Sequence, residues 1–226
     1  EEAWTRSQQL AAVMARDYGV EKGDRVAIAM RNYPEWILGF MAATSIGAIA
    51  VAMNALWQPH EMEYGLKDSG AKLLLADQER LDRLAAMEDA RPGLAVIAVR
   101  ATKPLAAGVR GYDEVMAGAV GATPPAREVG PDDDAIMLYT SGSTGHPKGA
   151  VSTHRNIMSA LLSWELDAQA GMLAGFALAV GGPQPAALLS IPLFHVSGLH
   201  VSLLQSFRAQ RRLVCMYKWD PAQAVE

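Results

Sequence analysis

The residues best suited to chemistry stand together. Tyr139 is followed by Thr140, Ser141, Gly142, Ser143, Thr144 and Gly145, and then by His146, Pro147, Lys148 and Gly149. Glycine lets a backbone turn with positive φ and approach a ligand closely. Successive N–H groups in such a bend form a concave anion site, and hydroxyls add donors around it. A lysine supplies a point charge suited to phosphate. Pro147 fixes its own φ and so limits where Lys148 can sit. These types in this order describe a loop that holds the phosphates of a nucleotide. A plain Gly/Ser surface loop is the rival reading, and it leaves the ordered Pro-Lys-Gly ending without a cause.

The string is not the ordinary P-loop. That pattern places Gly before its lysine and Ser or Thr after it, where the hydroxyl holds magnesium. Here those slots hold Pro147 and Gly149. The flanks differ too. Residues 135–140 and 149–153 both read as strands, so the loop joins strand to strand. The grip then comes from amides, hydroxyls and Lys148, with less help from a helix dipole.

The surrounding elements alternate. Helices are expected at 5–17, 34–47, 59–70 and 77–89, with Pro34 and Pro59 at first-turn positions. Apolar strands are expected at 25–30, 48–53, 72–76 and 94–99. Such alternation implies an α/β fold with a parallel sheet covered by helices on both faces. Residues 101–134 are rich in Gly and Pro and hold a short helix at 112–117. Beyond the loop, Thr153 caps a helix over 154–168. Residues 171–185 are apolar but broken by Gly and Pro. A strand at 186–191 leads into Pro192-Leu193-Phe194-His195, Ser197 caps a helix to 208, and 212–217 is the last strand. Two subdomains are expected, 1–130 and 131–226.

Composition narrows the classes. Half of the 226 residues are hydrophobic and 19% are charged, which supports a sizeable core and argues against disorder. A net charge of −4 with no basic block argues against nucleic acid as the main partner. The lone Cys215 lies in an apolar run and reads as a small hydrophobe, with no intrachain disulfide. Asp132, Asp133 and Asp134 point in different directions and read as a solvated charge cluster, so no metal site is assigned. Residues 36–57 carry no charge, but Gly39, Gly47 and Asn54 interrupt them, which favours a buried helix and strand over a membrane span. Trp4, Trp36 and Trp57 read as core or rim packing. No signal-peptide pattern opens the chain, and both ends read as cut from something longer.

The string from Tyr139 to Gly145 with Pro147-Lys148-Gly149 resembles the signature loop of the adenylate-forming superfamily, which includes acyl-CoA synthetases. Further blocks agree in order: Lys22-Gly23-Asp24-Arg25-Val26, Arg31-Asn32 before Glu35-Trp36, Gly47-Ala48 with Asn54, and Pro192-Leu193-Phe194-His195 with Gly198. The resemblance implies the αβαβα-type N-terminal domain of these enzymes, here truncated, with their C-terminal domain absent. It implies an acid–thiol ligase, AMP-forming, that makes acyl-AMP from a carboxylic acid and ATP with Mg2+ and then transfers the acyl group to CoA. A long-chain fatty acid is the expected acid. Thr140, Ser141, Gly142, Ser143, Thr144, Gly145 and Lys148 would hold phosphates, Lys148 and His195 would be catalytic, and His195 would sit near the acyl group. A cytoplasmic enzyme is implied, with no integral membrane segment and with a homodimer as one permitted assembly. Two other classes compete: an NTPase with a divergent P-loop, and a non-catalytic interaction domain.

The superfamily's ribose-binding acid and C-terminal lysine have no counterpart in residues 1–226. This chain alone, mixed with ATP, magnesium and a panel of fatty and aromatic acids, is therefore expected to release no pyrophosphate above background. Clear acid-dependent release would overturn that reading.

Overall fold

The computed structural model describes residues 1–87, 93–140, 145–176 and 184–225. Helix α1 (Glu2–Asp17) precedes strand β1 (Arg25–Ala29). Then come α2 (Pro34–Ser45), β2 (Ile49–Ala52), α3 (Pro59–Ser69), β3 (Leu73–Asp77), α4 (Gln78–Ala85) and β4 (Ala95–Val99). The short β5 (Arg110–Gly111) and α5 (Tyr112–Ala117) follow, then β6 (Asp134–Thr140), β7 (Lys148–Thr153) and α6 (His154–Leu173). After β8 (Ala186–Leu189), a π-helix (Ser197–Leu204) continues into α7 (Gln205–Arg208), and β9 (Arg212–Cys215) comes next.

One sheet has the order β5-β4-β3-β1-β2-β6-β7, and β8 pairs with β9 in another. Every pairing is parallel except β6 with β7. The fold is thus α/β with flanking helices, as the alternation implies. The expected division at residue 130 does not coincide with a change of sheet, because β6 and β7 extend the sheet begun by β1.

Side chains alternate across a strand, so a sheet covered twice needs apolar residues at every position. Val26 and Ile28 of β1, Leu73 and Leu75 of β3, and Ala50 and Ala52 of β2 pack toward α1, α2 and α5. Their neighbours Ala27, Val51 and Leu74 pack against Trp57, Met62 and Leu66 on the α3 side. All of these core residues are buried. At the start of helix α3 the Glu61 carboxylate accepts from the Gln58 amide at 2.8 Å, and the helix ends at left-handed Gly70. Thr153 caps α6 as expected: its Oγ1 accepts from the Asn156 amide at 3.2 Å.

Several expectations need correction. Trp4 is exposed on α1, while Trp36 and Trp57 are buried. Helix α6 runs past 168 to Leu173, since Gly171 alone does not break it. Strands β8 and β9 stop at Leu189 and Cys215. Ser197 does not cap its helix: Val196 is the N-cap and makes no side-chain bond. Helix α4 ends at Ala85, and the rest of its expected span lies partly outside the described residues. Asp132 and Asp134 are exposed, as a solvated charge cluster requires, and two of the three aspartates also have ion-pair partners. Asp132 meets Arg155 at 2.6 Å and Asp133 meets Lys22 at 2.6 Å, and both carboxyls are held below the usual carboxylate range by those partners. Among the described residues no group of three or more His, Cys, Asp or Glu is placed to hold a metal, and no helix is long and apolar enough to cross a membrane.

Candidate active site

Open α/β sheets bind ligands beyond the carboxyl ends of their strands. Here the carboxyl ends of β2, β6 and β8 converge on one cavity of ≈ 730 Å³. The segment after β2 gives Asn54, Leu56 and Trp57; the end of β6 gives Leu138, Tyr139 and Thr140; the turn after β8 gives Phe194, His195 and Val196. Gly145 and Pro147 close the side of the loop. The volume lies within the range of small-molecule sites, roughly 300–1,000 Å³.

The loop leaves and re-enters the sheet as the connection of an antiparallel hairpin. Thr140 pairs with Lys148 in the ladder, and Thr140 Oγ1 donates to the Lys148 carbonyl at 3.4 Å. Lys148 is therefore anchored by its backbone at the base of the loop, with its side chain exposed. Gly145 has φ +95°, a conformation that side chains strongly disfavour, so glycine is required there. Ser141, Gly142, Ser143 and Thr144 lie outside the described residues.

The strand before the loop is fixed from α3. The Tyr139 hydroxyl donates to Asp68 Oδ2 at 2.7 Å and to the Gly65 carbonyl at 3.2 Å. Burial, then the bond to Asp68, pushes its pKa well above the ordinary tyrosine value. The Tyr139 ring meets Trp57 edge-on at 5.1 Å, and His146 stacks on Tyr64 at 4.9 Å. Tyr139 is thus a wall and an anchor in one residue.

His195 is exposed beside Phe194, with ring centroids 5.4 Å apart. Two features hold its turn. The first is buried Asn32, just after β1. Its Nδ2 donates to the Ile191 carbonyl at 3.0 Å and to the Leu189 carbonyl at 3.4 Å, and its Oδ1 accepts from the Leu193 amide at 2.9 Å. The second is Gly198. A Cβ there would stand 2.1 Å from the Pro192 carbonyl oxygen, which is backbone and cannot swing aside. The His195 amide donates to that same oxygen at 3.0 Å, and the Leu199 amide donates to the His195 carbonyl at 2.9 Å.

Of the residues expected at the site, the structure brings Thr140, Gly145 and His195 to one cavity and sets Lys148 beside Pro147 at its edge. Sequence reasoning did not find Leu56, Trp57 or Tyr139 as cavity walls. The signal at Leu56 and Trp57 was apolar character, which equally fits a core, and Tyr139 was read only as the residue that opens the loop string.

The sequence matches the AMP-binding enzyme family over residues 1–226. The chain belongs to this family. Relatives of this chain include long-chain-fatty-acid–CoA ligase FadD13 of Mycobacterium tuberculosis, 33% identical over an alignment covering 89% of this chain and 36% of that protein. 4-Coumarate–CoA ligase 2 of Oryza sativa subsp. japonica is 31% identical over an alignment covering 93% of this chain and 37% of that protein. The N-terminal domain of FACL13 from Mycobacterium tuberculosis, solved with an inhibitor, superimposes with a TM-score of 0.77 at 29% identity, covering 99% of this chain and 51% of that one. ATP-bound MatB from Rhodopseudomonas palustris gives a TM-score of 0.76 at 26% identity, covering 99% and 41%. The chain thus spans little more than a third of those two curated relatives.

The Gly198 geometry yields a test. Gly198→Ala forces the Pro192–His195 turn to move, and strained backbone sites cost about 1–3 kcal/mol. Urea unfolding of the full-length protein should show that loss. A variant as stable as wild type would mean that the turn accommodates a Cβ.

Proposed function

We propose that this chain forms the nucleotide-binding and acyl-facing part of an ATP-dependent acyl-CoA ligase. The observation that carries the reading is the shared cavity: the base of the phosphate loop and His195, from different sheets, open into one space. A carboxylate oxygen would attack the α-phosphorus of ATP, pyrophosphate would leave, and the thiol of CoA would then attack the acyl carbonyl and release AMP. The first step needs neutralisation of charge on the leaving pyrophosphate and in-line placement of the two reactants.

The chain's own residues divide that work. Thr140, Ser141, Ser143 and Thr144, with the loop amides, hold the β- and γ-phosphates, and Lys148 adds a charge beside them. His195 donates a hydrogen bond to the acid's carboxylate from the opposite wall. The cavity's acidic lining residue is Glu61, whose carboxylate already accepts from the Gln58 amide at 2.8 Å. Mg2+ would therefore arrive on the triphosphate and supply further charge neutralisation there. A long-chain fatty acid is the proposed substrate, by analogy with long-chain-fatty-acid–CoA ligase FadD13; the similar 4-coumarate–CoA ligase makes an aromatic acid the alternative.

The test is acid-dependent pyrophosphate exchange by the full-length protein with dodecanoate, 4-coumarate and benzoate. Lys148→Ala should slow adenylation by about a hundredfold while sparing thioester formation from supplied acyl-adenylate. His195→Ala should raise KM for the acid and lower kcat, with KM for ATP little changed. Equal losses in both half-reactions, or for both substrates, would reduce these residues to structural roles.

A further inference from the structure

The cavity wall at 54–57 is held from behind by two arginines that the proposed chemistry does not use. Arg80 of α4 is buried, and its Nε donates to the Ala55 carbonyl at 2.9 Å while its Nη2 donates to the same oxygen. Arg83, one turn on, donates from Nη1 to the Ala55 carbonyl at 2.8 Å and to the Trp57 carbonyl at 2.6 Å. Counter-charges balance them. Arg80 Nη1 reaches Asp77 Oδ1 at 3.0 Å and Glu79 Oε2 at 2.8 Å, and Arg83 Nη2 reaches Glu79 Oε1 at 2.6 Å.

Burying guanidinium groups is costly, and apolar side chains would pack α4 without that cost. These forks are instead aimed at backbone carbonyls, which fixes the segment's main chain and not merely its contact area. That segment presents Leu56 to the cavity as a half-exposed apolar side chain and Trp57 as the partner of Tyr139. Its own turn is slight: the Leu56 amide donates to Asn54 Oδ1 and the Trp57 amide to the Asn54 carbonyl.

We propose that Arg83, backed by Arg80, is a positioning residue that fixes the 54–57 wall and thereby tunes which acids the site accepts. The specificity half rests on the ligase reading; the clamp itself does not. Arg83 is the residue to change, because removing Arg80 would take the cationic partner from buried Asp77. Arg83→Met keeps the apolar stem and removes the donors.

Hydrogen exchange of the full-length protein is compared for wild type, Arg83→Met and Arg83→Lys. In Arg83→Met the amides of 55–58 should exchange about tenfold faster while β1 and β3 keep their protection, and Arg83→Lys should recover most of it. Pyrophosphate release should show kcat/KM for dodecanoate relative to 4-coumarate shifted by at least about threefold in Arg83→Met, with KM for ATP within about twofold of wild type. Unchanged exchange at 55–58 would overturn the clamp. Equal losses for both acids and ATP, in step with melting temperature, would overturn the role in specificity. If the wild-type protein released no pyrophosphate with any acid, the ligase reading would fail and the exchange comparison would still decide the clamp.

Discussion

The site depends on one buried amide. Asn32 follows the central strand of the larger sheet, yet all three of its side-chain bonds go to the turn that leaves the smaller one. A buried polar group left unpaired costs about 1–3 kcal/mol, so a side chain that satisfies two carbonyls and one amide at once defines the distance between the two sheets. Only an amide fits: Nδ2 faces acceptors and Oδ1 faces a donor. A carboxylate in its place would turn an oxygen on two carbonyl oxygens.

From that lock the remaining geometry follows. The parallel strands are buried on both faces, so their carboxyl ends and the segments beyond them are what the fold leaves free to meet a ligand. Tyr139 secures the β6 end to α3, and the Gly198 contact folds the β8 exit back on Pro192. The loop between β6 and β7 leaves from a base fixed by the Thr140–Lys148 pairing.

Much of this was legible in the residues. Apolar runs of strand length between capped or proline-started helices gave the α/β fold, and the loop between Tyr139 and Gly149 was singled out by its residues, of which Thr140, Gly145 and Pro147 line the cavity. His195 was singled out by the family resemblance of Pro192-Leu193-Phe194-His195 and by its place beyond a strand end, and it lines the cavity. What escaped was of two kinds. Long-range polar contacts leave no local trace: Asn32 and Leu193 are 161 residues apart, and Arg80 and Arg83 look like the charged face of a short amphipathic helix. The π-helix after His195 also has no signature of its own, since its apolar residues fit an ordinary helix equally well. Trp4, read as core or rim packing, is 56% exposed on α1, because an apolar residue near a chain start carries no local signal of how far it is covered.

The central claim is that the Asn32 amide sets the position of the His195 turn relative to the larger sheet. A crystal structure of the Asn32→Ala variant of the full-length protein measures this directly. Strands β1, β2, β3 and β6 should superimpose on wild type, while residues 191–196 shift or lose order and carry His195 away from Thr140 and Gly145. A variant in which both sheets and His195 keep their wild-type places would contradict the account.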